Sequence, residues 1–348
     1  MRLLTLSAAV LMPAALLAQA PAAPAYTAIY ATESKSVPKD LAAFKEQEVL
    51  SRLAKVLSTP RPAFPKVGVD AFKKDFQGSV KSIYDAEGTS RAVASLHYLY
   101  SHALNAAGQW EKSAEALQQA IQVAREDQAA FVAATAPVGD LFKEVADTIQ
   151  AGKEKELEGP NGLKYKALQA ADPAKRTPAD ESFFKDFGDW VQKQEQAAQA
   201  QLANGQKMQA MFKGAVEDIE KTAKVFETKL QDRQKKIKDQ QDEIAKFLAD
   251  QNAKIEKANA KVRNPKLKKE LLSGPKAWVE AVISTPDNFS AAKVPSVEAK
   301  YQFLTRLNLL DPENKKVLAA MDNLKQGRDM FYKEPAAKKP AKKGTKKG

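Results

Sequence analysis

The sequence predicts an all-α protein, and three observations carry that expectation. Glycine is scarce at 15 of 348 residues, while Ala, Lys, Gln, Glu and Leu dominate, which is helix-forming usage. After Pro178 no proline occurs until Pro265, a run that would extend about 125 Å as one helix at 1.5 Å per residue. Elsewhere apolar residues recur at helical spacing between Gly/Pro-marked turns, as in Leu41, Phe44, Leu50, Leu53 and Leu57.

Taken in order, residues 1–25 read as a secretion signal: Arg2, an apolar run from Leu3 to Leu17, then small residues. The run is too short and alanine-rich for a membrane span. Ala18-Gln19-Ala20 and Ala23-Pro24-Ala25 are alternative cleavage sites, and a periplasmic or secreted location is expected. With no cysteine, the chain carries neither a lipoprotein attachment site nor a disulfide. Tyr26 to Ser36 reads as a short strand or extended lead, and Pro38 opens a helix that Thr59-Pro60-Arg61-Pro62 ends. A second helix is expected from Val69 to Ala86, with Glu87-Gly88-Thr89 punctuating the start of a third.

The third and fourth helices carry a family resemblance. Tyr100, Ser101 and Leu104 on one helix, Gly108 and Trp110 at the turn, and Ser113, Leu117 and Ala120 on the next make Ala92 to Ala124 resemble a tetratricopeptide repeat. Small Ser101, Ser113 and Ala120 let two antiparallel helices approach, and the large residues fill the space around them. Gly108 permits a tight αα turn. Arg125 stands near the position of the family's closing proline, so the match is incomplete. Tyr301 to Met321 is similar to the end of one repeat and the start of another. Leu304, Leu307 and Leu310 precede the turn Asp311-Pro312-Glu313-Asn314, and Leu318 and Met321 follow. The resemblance implies helical hairpins and a protein or peptide partner. An ordinary αα-hairpin with convergent packing would use the same residues.

Gln128 to Ala151 should form another helix with Phe131, Val138, Leu141, Phe142, Val145 and Ile149 buried. Gly152 to Pro160 reads as a loop, Gly159-Pro160-Asn161-Gly162 as a turn, and this Gly/Pro-marked stretch as a domain boundary. The long helix then starts at a capping box, with Thr177 as cap, Pro178 in the first turn and Asp180 as the acid. Within it Phe212, Val216, Ile219, Ala223, Phe226 and Leu230 alternate steps of four and three, a coiled-coil seam, and Ile237 and Ile244 keep the seven-residue beat. Arg233, Gln234, Gln240, Gln241 and Gln251 dilute that seam. Pairs such as Glu217 with Lys221, Glu220 with Lys224 and Asp232 with Lys236 have the favourable i,i+4 order. The seam fits an intramolecular hairpin, turned at Asn204-Gly205, or a homodimer or client-gripping arm; the hairpin is the expectation.

The expected organisation is a signal at 1–25, a helical domain at 26–158, the long helix or hairpin at 177–264, repeat-like helices at 265–333 and a basic tail at 334–348. Lys266 to Leu272 and Lys276 to Ile283 read as short helices of the fourth part. The formal charge is +12, of which the stretch from Lys333 onward holds +6 and Arg2 one more, leaving a mildly basic body. Lys338, Lys339, Lys342, Lys343, Lys346 and Lys347 sit among Pro, Ala and Gly, so the tail should be disordered. Its chemistry suits an anionic envelope surface; the signal and the lack of interleaved aromatics argue against nucleic acid.

Catalytic and metal motifs are missing from the sequence. His97 and His102, the two histidines, are five apart and fall on different sides of a helix. Without cysteine or an HExxH pattern they make no metal site, and no phosphate loop or nucleophile elbow occurs. No cofactor is expected. The reading is an exported, non-enzymatic helical scaffold that binds proteins or peptides. A surface binder acting through the tail and a chaperone-like client binder are the alternatives.

Overall fold

The computed structural model describes residues 46–61 and 63–333, and these are all-α. The signal, the lead from Tyr26 to Ser36, Leu41, Phe44 and the tail lysines lie outside the described residues. In chain order the helices are α1 (Glu46–Leu57), α2 (Val69–Lys74), α3 (Phe76–Ala106), α4 (Trp110–Thr135) and α5 (Pro137–Glu158). They continue with α6 (Pro160–Ala170), α7 (Pro178–Asn259), α8 (Pro275–Ile283), α9 (Val297–Leu310) and α10 (Lys315–Lys325).

Several expected breaks close up. Glu87-Gly88-Thr89 lies inside α3, because Thr89 Oγ1 donates to the Asp85 carbonyl at 2.8 Å and Glu87 pairs with Arg91 one turn on. The actual break comes earlier, at Asp75 between α2 and α3. Residues 128–135 complete α4, and Pro137, in the first turn of α5, makes the new start. The loop expected from Gly152 shrinks to the single extended residue Gly159 between α5 and α6. Lys266 to Leu272 is a 3-10 turn (Pro265–Leu267) followed by non-helical chain.

The long helix is a single element of 82 residues, capped as expected: Thr177 Oγ1 accepts from the Asp180 amide at 3.1 Å. The expected hairpin turn is therefore corrected. Asn204-Gly205 is helical, and Gly205 is there for proximity rather than bending, since a Cβ on it would lie 2.9 Å from Phe142 Cβ. Of the i,i+4 pairs named above, only Glu220–Lys224 closes among the described residues, at 2.8 Å.

The chain divides into two compact units, and the division falls within helices rather than at the Gly/Pro-marked stretch near Gly159. The first takes Thr59–His97 and Gln118–Thr228. Its core brings Phe72, Ile83, Phe131, Val138, Leu141 and Phe142 onto Met208, Phe212 and Ile219 of α7. The second takes Tyr98–Leu117, Lys229 to Lys333 and the described residues before Thr59. Trp278, Val279, Ile283, Phe289, Leu304, Leu307 and Val317 pack there with Ile244 of α7.

The seam is thus buried in the chain's own cores. Phe212, Ile219 and Phe226 are each 5% exposed or less, Ala223 is fully buried, and Val216, Leu230 and Ile237 are half-buried. A gripping arm or a dimer built on this seam would have to pull these side chains out of the core.

Candidate functional site

Several of the residues singled out for repeat packing are buried, and two of them meet through polar atoms. Ser101 Oγ donates to the Ser113 carbonyl at 2.8 Å and Ser113 Oγ to the Ser101 carbonyl at 2.7 Å, so the two buried serines lock α3 to α4 reciprocally. Leu104, Leu117 and Ala120 are buried; Tyr100 and Trp110 are half-buried. Gly108 has φ +72°, and a Cβ there would fall 2.7 Å from the Gln302 carbonyl of α9, so both conformation and space require glycine.

Leu307 is fully buried on α9. Beside it the guanidinium of Arg306, also buried, lies 4.4 Å from the Trp110 ring centre and forks onto Glu111 at 2.5 and 2.7 Å. It also donates to Gln240 of α7 at 2.5 Å. The arginine holds the Glu111 carboxyl below the usual range, chiefly through that hydrogen bond. Arg233 of α7 meets Asn105 in the same unit. Pro312 is exposed in its turn, where Asn314 caps α10 by accepting from the Lys316 and Val317 amides. These groups tie α4, α7 and α9 together within the second unit.

An open polar site occurs in the first unit. Arg61, Ala63 and Phe64 ahead of α2, Ser90 of α3, and Glu126, Asp127 and Ala130 of α4 line a cavity of about 130 Å³. Asp127 is 2% exposed and its Oδ1 has no hydrogen-bond partner. Burial, reinforced by the Glu87 charge, pushes its carboxyl up to about 7, and the Ser90 hydroxyl and the arginines Arg61 and Arg91 offset only part of that.

The neighbouring acids are already served. Glu126 accepts from Arg61 at 2.6 Å and from Gln122 at 2.8 Å, and Glu87 accepts from Arg91 at 2.7 Å. Two arginines thus meet three carboxylates, and Asp127 is the one left over. His97 also feels this cluster: burial and the Arg61 charge push its imidazole down, which disfavours its charged form. An ionised Asp127 can therefore accept a cation or a hydrogen bond from a ligand; a protonated one can donate. On another face of α4, Val132, Thr135 and Ala136 form a separate, mostly apolar groove of about 330 Å³ with Gln209, Phe212, Lys213 and Val216 of α7.

The sequence reading missed this site, although a signal was present. Ala120, Val123, Ala124, Asp127, Phe131 and Ala134 form one buried row on α4, and an acid on such a row is the anomaly to look for. Glu87 and Ser90 interrupt the apolar row of α3 in the same way, beside Ile83 and Ala94. Among the described residues no group of three or more His, Cys, Asp or Glu is placed to hold a metal ion, and no helix is long and apolar enough to cross a membrane. No known protein family, characterised protein or solved structure matches this chain.

Proposed function

We propose that this chain is an exported, non-enzymatic scaffold, built of tetratricopeptide-like hairpins, that binds a protein or peptide in the cell envelope. In this reading the partner seats a lysine or arginine end, or a free amino terminus, on Asp127. The carrying observation is Asp127 itself, which lines the cavity and whose buried Oδ1 has no hydrogen-bond partner. Leaving such a group unpaired costs stability, and an incoming cation removes that cost.

Size selects the kind of group. A cavity of about 130 Å³ has room for an ammonium or guanidinium end but not for a whole folded element. The envelope location rests on Arg2 and the Leu3 to Leu17 run.

Calorimetric titration with short peptides, each in free-lysine and lysine-acetylated form, tests the reading. Free-lysine peptides should bind at least tenfold tighter than their acetylated forms, and Asp127→Asn should erase that preference while leaving the helical circular dichroism intact. Equal binding of the two forms, or a preference that survives in the variant, overturns it.

A further inference from the structure

The second unit carries a feature unrelated to the Asp127 cavity. Between Lys254 and Leu272 the chain has seven lysines and arginines against two glutamates. All seven cations are exposed, and none closes an ion pair among the described residues. Elsewhere exposed lysines do find carboxylates, as Lys73 finds Glu144 and Lys224 finds Glu220. Some positive charge is expected at a helix C-terminus, where it complements the dipole. That effect fades within one turn and does not account for Lys266, Lys268 and Lys269, which follow the end of α7.

This returning stretch is held in place. Asn259 accepts from the Lys269 amide at 2.8 Å and donates to the Lys269 carbonyl at 2.7 Å. Two helical turns earlier, Asn252 does the same to Leu272, at 2.7 and 2.9 Å. Asn264 accepts from the Lys266 amide at 3.0 Å and fixes the turn between them. Two side-chain amides spaced seven apart thus pair with the backbone of the returning chain as a neighbouring strand would, and the cations sit on an ordered frame.

Between those cations the frame presents leucine. Leu267 is 69% exposed, the highest value among the large hydrophobic residues described, and Leu271 is 50% exposed. We propose that the end of α7 and the segment returning from it, residues 254–272, form a docking surface for an anionic phospholipid membrane. Leu267 and Leu271 enter the boundary between headgroups and acyl chains, while the surrounding lysines reach the phosphates on their flexible stems. Nucleic acid would use the charge but not the leucines, and no aromatic residue lies between Lys254 and Leu272 to stack on a base. Fixing the segment in advance lowers the ordering cost of docking.

The test is co-sedimentation of the full chain with vesicles of equal parts phosphatidylcholine and phosphatidylglycerol, at low and high salt. Lys261→Gln, Lys266→Gln and Lys268→Gln combined should weaken binding at least tenfold at low salt, since each lysine near an anionic surface is worth roughly fivefold. Leu267→Asn with Leu271→Asn should remove the binding that survives high salt. All five positions are exposed, so both variants should keep the parent's helical signal and melting temperature. A matched variant with Lys338, Lys339 and Lys342 changed to Gln separates the tail from this surface. Binding that is unchanged in the first two variants and lost in the third overturns the proposal. So does parental binding to duplex DNA in the absence of any binding to vesicles.

Discussion

Asp127 faces Glu87 from a position with almost no solvent, and the pH dependence of folding follows from that. A carboxyl raised from its ordinary 3.8 to about 7 stabilises the folded chain only while it is protonated. Its contribution is complete below the unfolded value, declines as pH rises between the two, and is gone above about 7. Asp127→Asn should therefore flatten this slope and make the protein more stable at pH 8, by roughly 1–3 kcal/mol, with little change at pH 4. Urea unfolding at both pH values checks it; a variant less stable at pH 8 contradicts the assignment. His97 works in the opposite sense. Its lowered value means that stability present above the ordinary 6.5 is lost as pH falls through the lower, folded value. At the α3–α4 turn, Gly108→Ala should cost about 1–3 kcal/mol, read as a lower urea midpoint at constant slope, because a positive φ and the Gln302 carbonyl both oppose a Cβ.

Among the elements, α7 shows what periodicity reveals and what it hides. From Phe212 to Ile244 the four-three alternation is unbroken once Arg233 and Gln240 are counted as seam positions. Both are buried, and they meet Asn105 and Arg306, so polar side chains hold seam places without interrupting the helix. Read by residue type alone they looked like dilution, because their partners are 128 and 66 residues away along the chain. The glycines of α7 give a prediction with opposite signs. Gly205→Ala should destabilise by roughly 1–3 kcal/mol, since the clash with Phe142 outweighs a propensity gain of about 1 kcal/mol. Gly214→Ala meets nothing within 4 Å and should stabilise by about 0.5–1 kcal/mol. Thermal unfolding of the two variants side by side separates close packing from flexibility as the reason for Gly205.

At the scale of the whole molecule, each compact unit has its own apolar core and its own polar centre. In the second unit that centre is Arg306, which joins α4, α7 and α9 through Glu111, Gln240 and Trp110. Arg306→Ala should lower unfolding free energy by about 3–5 kcal/mol, and Arg306→Lys should recover only a minor part, because an ammonium cannot fork onto Glu111 and lie flat on Trp110 together. Denaturant midpoints followed by tryptophan fluorescence measure both. The sequence by itself determined the all-α class, the start of α7 at Thr177, the apolar seam and the packing residues of the α3–α4 turn. Each of these rests on interactions within a few residues or on a repeating period, which a linear chain displays. Only the tertiary structure decided that α7 runs straight through Asn204-Gly205, that its seam is covered within the chain, and that Asp127 is left over in its cluster. These outcomes depend on which distant groups meet, Phe142 with Gly205 or Arg61 with Glu126, and no local pattern carries that information.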